Sequence, residues 1–597
     1  MKKHIVLLLC MMLVGSLVLA ACSQKEENEP EVTPPQVNAP NEDNGENAGD
    51  DAEGSEQSEG SGESDQPELG FIEAADPSLM PAASKSRTDT VIIGMNEPQG
   101  IFTPWFFNTA FDKYVFDVIF EGLGKVSQDG SIVPSLATWD ISEDGKVYTF
   151  HIDPKAKFSD GTQVTAEDAE FAFYVYLDPA YDGRGDMMPV GIVGAEAYKD
   201  GNAETIEGVK VLDELTLEVT VEEAKAATIY DLSVSVLPKQ YYGKDFKKGN
   251  LDYVKSLNGK PLGSGPYVFD QFIPGQETRL TANENYWRGA PKVKNLIFKA
   301  TTDETSAQLI QTGETDFEEG IIVSKDNVEL VKGMGFVDIS LLLNNGYGYI
   351  AVNNKLPKFQ DKRVRQALTY GLDRESIVFA YSQGYAQVID VPESKVSWAY
   401  PDESSITHYG YDPEKAKQLL DEAGWEIGSD GYRYKDGEKF TIHFSASTPN
   451  PVNDAIIPIA TENYKELGIE FIAEQLEFNS VIEKRTKGEH EMAFLAWGLT
   501  PDPDPFGTFH TNGGSNWDGY SNPELDKLIE QAQAELDQEK RKQLLSQVYQ
   551  ILNEDVPNIY MYQRYNMNVF NTRLNGFDIT PYYDFTESLW EVEIQNQ

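Results

Sequence analysis

The sequence has almost no cysteine and little histidine. Its two cysteines, Cys10 and Cys22, both lie near the N-terminus, so the rest of the chain has no disulfide, thiol nucleophile or thiolate metal cluster. The six histidines are dispersed, without the spacing of metal ligands, and the chain has neither an H-E-x-x-H motif nor a P-loop. We therefore expect no metal and no cofactor.

Basic residues are also scarce. Lys and Arg number 49 against 98 Asp and Glu, which gives a formal net charge of −49. A chain this negative repels phosphates, so the sequence predicts no nucleic-acid partner. Aromatic residues make up 11% of the chain, a supply typical of packed cores and binding sites. With 597 residues the chain is too long for one hydrophobic core, and we expect several domains.

The N-terminus has the pattern of a secretory signal. Lys2 and Lys3 precede an apolar run that ends in small residues, and the run is shorter than the ~20 residues of a membrane-spanning helix. The ending Leu19-Ala-Ala-Cys22 resembles the bacterial lipobox. This resemblance implies a signal peptide over residues 1–21, lipidation of Cys22, and anchoring to the cell membrane on its extracellular or periplasmic face. The alternative is an ordinary signal peptide with an incidental cysteine.

Residues 22–87 are predicted to form a disordered acidic linker. Between residues 23 and 86 the chain has 17 acidic and two basic residues, and no aromatic residue precedes Phe71. Such a segment buries too little apolar surface to offset the entropy lost on ordering. It would either hold the body away from an anionic membrane surface or have no role, and the sequence leaves both open.

The rest of the chain is predicted to be a mixed α/β body. Strand-like runs and hairpin signals occur at residues 90–94, 146–152, 210–221 and 267–281. Helix signals, an N-cap residue followed by proline, begin at Asp412 and Asn522. A third helix is predicted over residues 543–553, and a strand over residues 558–570.

Six segments together carry a resemblance to a known family. They are Phe158-Ser-Asp-Gly-Thr162 with Thr165-Ala-Glu-Asp168, Gly263-Ser-Gly-Pro-Tyr267 with Asn285-Tyr-Trp287, Gly313-Glu-Thr-Asp316, the block 353–373 containing Asp361-Lys-Arg-Val-Arg365, Tyr411-Asp-Pro-Glu-Lys-Ala-Lys-Gln-Leu-Leu420, and the segment 497–504. Each is weak alone. In this order they resemble the bacterial extracellular solute-binding proteins of family 5, the oligopeptide and dipeptide class.

The resemblance implies an α/β, two-lobed periplasmic-binding-protein-like fold of class II, the large peptide-binding type, with a subdomain inserted in lobe I. By analogy, lobe I covers residues 88–302 and 558–597, with its insertion near 111–235, and lobe II covers residues 303–557. The ligand is enclosed between the lobes as they close on a hinge. The implied function is capture of extracellular oligopeptides by a monomeric lipoprotein, which passes them to the permease of an ABC importer and has no enzyme activity.

The resemblance also indicates a ligand loop at residues 497–505. It carries Trp497, Asp502 and Asp504. Many family members have an aspartate three residues after this tryptophan that holds the peptide amine, whereas this chain has Thr500 there. We therefore expect Asp502 first, and Asp504 next, to take that role. The alternative is a proline-rich loop whose aspartates cap turns.

Further ligand-binding candidates follow from the same resemblance. They are Tyr347, Tyr349 and Asn353 on a strand that borders the cleft in the family, Tyr560 and Tyr562 on the strand-like run, and Glu97 after the first strand. Tyrosines that alternate along a strand are equally consistent with core packing, and Glu97 with a solvated acid. No arginine can be assigned to a ligand carboxylate, and Arg363 and Arg365 are expected to serve the packing and ion pairs of their own helix.

Two other functions stay open. The same fold could bind an oligosaccharide, a nickel or haem chelate, glutathione or a signalling peptide pheromone, because a fold does not fix a ligand. The scarcity of histidine disfavours nickel and haem. The second alternative is a carboxylate-dependent hydrolase, because accidental carboxylate pairs are inevitable among 98 acids.

Overall fold

The computed structural model describes residues 67–595. The predicted signal peptide, Cys22 and the first part of the predicted linker lie outside these residues. The strands are β1 Gly70–Ile72, β2 Thr90–Met95, β3 Gly124–Val126, β4 Ile132–Pro134, β5 Ala137–Ile141, β6 Val147–Ile152, β7 Val209–Asp213, β8 Thr216–Thr220, β9 Tyr267–Ile273, β10 Glu277–Ala282, β11 Asn295–Ala300, β12 Phe317–Glu318, β13 Val337–Leu343, β14 Gly346–Val352, β15 Ala386–Gln387, β16 Glu426–Ile427, β17 Arg433–Lys435, β18 Glu438–Lys439, β19 Thr441–Ser447, β20 Glu470–Leu476, β21 Met492–Gly498, β22 Ile559–Asn571, β23 Leu574–Asn575 and β24 Glu593–Ile594.

Helices lie between these strands along the whole described chain. They are α1 Ala82–Ser86, α2 Ala110–Asp117, α3 Ala166–Tyr176, α4 Ala195–Lys199, α5 Thr228–Leu232, α6 Lys239–Tyr242, α7 Asp252–Lys255, α8 Asp303–Thr312, α9 Lys325–Lys332, α10 Pro357–Gln360, α11 Lys362–Tyr370, α12 Arg374–Ser382, α13 Pro413–Glu422, α14 Pro451–Glu466, α15 Phe478–Thr486, α16 Phe506–Phe509, α17 Pro523–Ala534 and α18 Gln538–Asp555. Within residues 67–595, none of them is both long enough and apolar enough to cross a membrane.

One mixed sheet runs through the molecule. Its main path has the strand order β20-β19-β21-β14-β22-β12-β2-β11-β10-β9. β2 is parallel to β11 and β12, and β19 is parallel to β20 and β21. Parallel neighbours require long crossover connections, and helix α14 lies in the connection between β19 and β20, where it packs on β20.

Strand β22 lies in the middle of this sheet and connects its two halves. Its residues 559–562 pair with β14, whereas residues 565–571 pair with β13 and residues 569–570 also pair with β12. One continuous strand therefore belongs to both halves of the molecule.

The buried apolar side chains divide into separate clusters at the two ends of β22. The largest cluster draws on residues 91–298, Phe317 and residues 570–592. Two others draw on residues 347–562 and cover the opposite faces of β14. We call the body around the largest cluster lobe I and the body around the other two lobe II. The molecule therefore has the predicted two-lobed α/β fold, while the boundaries at residues 303 and 558 stay predictions.

Lobe I contains a second sheet of its own. Strands β5, β6, β8 and β7 form an antiparallel sheet in that order. It falls within the stretch 111–235 that the sequence analysis assigned to an inserted subdomain.

The end of the predicted linker is ordered. Residues 67–87 contain β1, which pairs with β13, and α1. Ile72 and Met80 are buried in a fourth apolar cluster together with side chains of β13 and β22. The prediction of disorder up to residue 87 therefore differs from the structure from residue 67 on, because these two apolar side chains find a partner surface that lies far away in sequence.

The local signals predicted several elements correctly. β2, β6 and both predicted hairpins are present, and the side chain of Asp412 caps α13 by accepting the N–H of Lys415. α18 begins at Gln538, five residues before the predicted start, because Asp537 supplies its cap. Arg363 pairs with Asp361 at 2.6 Å, as expected for a side chain that serves its own helix.

A buried ion cluster fastens the strands that meet at the junction. Asp316, directly before β12, is fully buried. Its carboxylate accepts hydrogen bonds from the Arg573 Nε and Nη2 atoms at 2.9 and 2.8 Å, from Arg87 Nη2 at 2.6 Å and from the N–H of Ile92 at 3.0 Å. The cluster thus joins β2, the entry to β12 and the end of β22, and it explains the aspartate of the Gly313-Glu-Thr-Asp316 motif.

Candidate functional site

A cavity of about 650 Å³ lies between the lobes. Its lobe I wall includes α2, residues 120–126 and residues 579–587. Its opposite wall includes residues 342–345, where β13 ends, and Pro501 of lobe II. The junction strand β22 contributes Asn566 and Asn568. Volume and position match a pocket for a small to medium-sized ligand, because such pockets form where two bodies meet.

The two lobes also contact each other directly. The backbone N–H of Ala226 in lobe I donates to the carbonyl of Gln533 in lobe II at 2.9 Å. The hydroxyl of Tyr582, a residue of the cavity wall, donates to the carbonyl of Val396 at 2.7 Å. The cavity therefore lies between lobes that already touch.

Helix α2 places a charged group in the cavity wall. The side chain of Thr109 caps this helix by accepting the N–H of Asp112, and Lys113 and Asp117 follow four residues apart on one face. Lys113 pairs with Asp117, and its Nζ lies 3.6 Å from Asp584 across the cavity wall. Burial raises the pKa of Asp117 to about 7, and Lys113 counteracts this shift. The pair adds little net charge to the cavity.

Glu121 is held by the aromatic motif Asn285-Tyr-Trp287. The Tyr286 hydroxyl and the Trp287 indole N–H donate to its two carboxylate oxygens at 2.9 and 2.8 Å. Arg288 lies 3.8 Å from the same carboxylate. Burial raises the pKa of Glu121, and Arg288 together with the two donors lowers it. The Tyr-Trp pair therefore fixes an acid in the cavity wall.

Three polar side chains of the cavity wall have hydrogen-bonding capacity that the protein does not use. Among the described residues, the side-chain amides of Asn566 and Asn568 make no hydrogen bond. The Glu319 carboxylate accepts one, from the Tyr114 hydroxyl at 3.2 Å. Burial raises the pKa of Glu319, and the Tyr114 hydroxyl opposes this shift. These groups are available to amides and amines of a ligand.

The predicted tyrosines come together in the core of lobe II. Tyr347, Tyr349 and Tyr560 are at most 4% exposed and share one apolar cluster. The Tyr347 ring centroid lies 5.5 Å from that of Tyr349 and 6.2 Å from that of Tyr560. Tyr562 is buried in the neighbouring cluster. None of the four is among the residues that line the cavity.

The predicted loop 497–505 lies beside the cavity, which it reaches through Pro501. Asp502 is buried, and its two carboxylate oxygens accept a bidentate pair of hydrogen bonds from Arg541 at 2.5 and 2.7 Å. Asp504 accepts hydrogen bonds from Gln533 Nε2 and from the N–H of Phe506. Half-buried Trp497 packs against the apolar cluster of lobe II. Both acids thus already have protein partners.

The last two candidates lie apart from the cavity. The buried Asn353 side chain donates to the carbonyls of Gly488 and His490, which connects β14 to the turn before β21. Glu97 is exposed and accepts the N–H of Gly275 at 2.6 Å. A direct role in binding for these residues stays a prediction.

Sequence reasoning missed the residues that do line the cavity. Lys113, Tyr114 and Glu121 lie in or directly after a short helix, and no local motif marks them. Glu319 follows the Gly313-Glu-Thr-Asp316 motif by three residues. Asn566 and Asn568 are two residues apart on the strand predicted over 558–570, so their side chains share one face. This pair of polar side chains on a strand was the signal that could have identified the cavity wall.

A two-lobed α/β fold with a polar cavity at the lobe boundary is the arrangement of a solute-binding protein. The sequence profile described as "Bacterial extracellular solute-binding proteins, family 5 Middle" matches residues 131–520. The chain belongs to the bacterial extracellular solute-binding proteins of family 5.

Individual relatives agree with this assignment. The chain is 29% identical over 505 residues to the oligopeptide-binding protein AppA of Bacillus subtilis, a match that covers 83% of this chain and 90% of AppA. It is also 29% identical over 479 residues to the haem-binding protein A of Haemophilus influenzae, covering 76% and 83% of the two chains.

Solved structures show the same fold. The structure of B. subtilis AppA in complex with a nonapeptide aligns with a TM-score of 0.66 at 27% identity, over 85% of this chain and 98% of that chain. The molecule is therefore similar in architecture to a receptor whose ligand is a peptide.

Proposed function

We propose that the protein is the substrate-binding subunit of an ABC importer, which captures extracellular oligopeptides between its lobes and delivers them to a membrane permease. On this proposal it acts as a monomer and performs no chemistry on the ligand. The oligopeptide-binding relatives support the ligand class, and family membership supports the role in transport and the absence of catalysis.

The observation that carries the proposal is the set of polar side chains in the cavity wall that keep unused hydrogen-bonding capacity. The Asn566 and Asn568 amides and the Glu319 carboxylate face the space between the lobes with bonding capacity left unused by the protein. Peptides offer amide N–H and C=O groups along their backbone and an ammonium group at the N-terminus. Such groups match the asparagine amides and the glutamate better than an apolar solute does.

Native mass spectrometry of the purified full-length chain tests the ligand class. We expect a heterogeneous set of added masses that fragment as peptides, because a receptor that reads mainly the backbone tolerates many side chains. A single added mass that does not fragment as a peptide would show that the protein binds another class of ligand. Truncated products from an added peptide would contradict the absence of catalysis.

Filling the cavity should weaken the binding of these peptides. Asn566→Trp adds an indole at the centre of the wall, and we expect the affinity for a retained peptide to fall by about tenfold or more, since an indole displaces ligand atoms there. Gln475→Trp on β20, an exposed strand residue that does not line the cavity, is the matched control. Equal affinity of both variants, measured by titration calorimetry, would place the ligand elsewhere.

We further propose that Cys22 carries a lipid and holds the protein at the membrane surface. The Leu-Ala-Ala-Cys ending supports this proposal, since two-signal or diacyl anchors bind membranes stably. We expect Cys22→Ala to move the protein from the membrane fraction to the soluble extracytoplasmic fraction. Cys10→Ala, within the predicted signal peptide, should leave the distribution unchanged. Retention of Cys22→Ala in the membrane fraction would refute the anchor.

A further inference from the structure

A second, smaller cavity adjoins the first. Its volume is about 330 Å³, and it shares Glu319, Asn566 and Asn568 with the larger one. The two cavities are therefore chambers of one cleft, with these three side chains at their common wall. We call the second cavity the smaller chamber.

Arg564 lines the smaller chamber, and within residues 67–595 its guanidinium group makes no hydrogen bond and no ion pair. The chain has twelve arginines, and all lie in the described residues. Eleven of them donate to a protein oxygen, from the buried Arg573 to the exposed Arg279, which bonds Glu277 at 2.6 Å. Arg564 is the one arginine between residues 67 and 595 that makes neither a hydrogen bond nor an ion pair.

This free guanidinium is notable in so acidic a chain. With 98 carboxylates in the sequence, an arginine readily acquires an acidic neighbour. The charge of Arg564 does act on Glu319, where it opposes the rise in pKa that burial causes, but the two side chains form no ion pair and the Glu319 carboxylate instead accepts the Tyr114 hydroxyl. A planar guanidinium with all five donors available is suited to bidentate recognition of a carboxylate.

Glu319 and Arg564 place charges of opposite sign at different parts of the cleft. Glu319 lies at the wall that both chambers share, whereas Arg564 lines the smaller chamber alone. An anionic group is repelled at the shared wall and attracted at Arg564, and the reverse holds for an amine. Asn96, whose side-chain amide also makes no hydrogen bond within the described chain, lines the same chamber and offers a further donor.

We propose that the smaller chamber is a carboxylate-binding subsite, in which Arg564 pairs with an anionic group of the ligand. This inference rests on the proposed capture of peptides in the same cleft. In a peptide the anionic group is either the terminal carboxylate or an acidic side chain, and both present the same chemistry to Arg564.

Three synthetic pentapeptide libraries test the subsite. The first has a free C-terminus, the second has a C-terminal amide, and the third is amidated and carries one fixed glutamate. Binding of each to the full-length chain is measured by native mass spectrometry and calorimetry. We expect the free-acid library to bind about tenfold or more tightly than the amidated one, the range of a charge-assisted hydrogen-bonded pair. If the third library recovers this affinity, an acidic side chain serves as well as the C-terminus.

Arg564→Gln should remove the preference for the free-acid library over the amidated library. Binding of the amidated library itself should stay unchanged. Arg564→Lys should keep part of the preference, because the charge remains and the bidentate geometry is lost. Folding should not change, since the side chain is exposed and makes no hydrogen bond or ion pair with the described residues. Arg279→Gln on β10, which removes the same charge outside both chambers, is the matched control and should retain the full preference.

The outcomes separate this inference from the proposed function. Equal binding of all libraries to the wild-type protein and to Arg564→Gln would overturn the subsite and leave peptide capture in place. Failure of every library to bind would overturn both. A preference for the acid that survives in Arg564→Gln would place the carboxylate at another cation, and the subsite would again be wrong.

Discussion

Asp316→Ala is expected to lower the free energy of unfolding by about 3–5 kcal/mol, the loss that follows when one partner of a buried ion pair is removed. The substitution leaves the Arg573 guanidinium, which is 2% exposed, without its carboxylate. It also removes the acceptor for Arg87 and for the N–H of Ile92. Because the cluster joins three strands at the junction of the lobes, the expected damage extends beyond one contact. Chemical denaturation monitored by tryptophan fluorescence measures the effect.

The matched control for this change is Glu314→Ala. Glu314 lies two residues away and pairs with Lys299 at 2.7 Å, but its side chain is 54% exposed. Exposed pairs contribute about 0–1 kcal/mol, so the control should unfold near the wild-type midpoint. If both variants unfolded at the same denaturant concentration, the cluster would not be the fastening that its geometry indicates.

Asp502→Ala is expected to act on stability first, with a loss of about 3 kcal/mol or more. Its carboxylate neutralises Arg541, which is 5% exposed and also donates to the carbonyl of Ala532. Without Asp502 this guanidinium keeps a buried charge that has no carboxylate partner. We expect the double variant Asp502→Ala/Arg541→Met to recover part of the loss, because removing both charges leaves no uncompensated charge.

The same variant tests the sequence-based hypothesis that Asp502 holds a ligand amine. That hypothesis expects stability near the wild-type value and a peptide affinity that falls several-fold. Glu539→Ala on α18, an exposed acid, controls for the loss of one negative charge near the helix. An unchanged unfolding midpoint together with weakened binding would favour the ligand role over the structural one.

Much of the fold could be predicted because its signals are local. The Asp412 cap and the proline that follows it specify the start of α13, and alternation specifies β6 and the β7–β8 hairpin. The family motifs, too, have structural explanations: Asp316 fastens the junction, and Tyr286 with Trp287 fixes Glu121. The two-lobed arrangement was implied by the family resemblance that these motifs carry.

The candidate site could be predicted less well, because its walls come from segments far apart in sequence. Tyr347 and Tyr349 alternate on β14, which the sequence alone could not orient. In the structure every residue of β14 is buried, since the strand lies between β21 and β22 with an apolar cluster on each face. Residues such as Lys113, Glu319 and Asn566 meet only through long-range pairing, and no spacing in the sequence encodes it.

The ordered segment before β2 has a mechanical consequence. β1 adds to the edge of β13, which itself pairs with the end of β22, so the chain enters the body at the junction of the lobes. A load applied through the preceding residues then acts close to the axis about which the lobes would rotate, where its lever arm is short. On the proposed anchoring through Cys22, opening and closing would leave the point of entry in place, and tension from the anchor would exert little torque on either lobe.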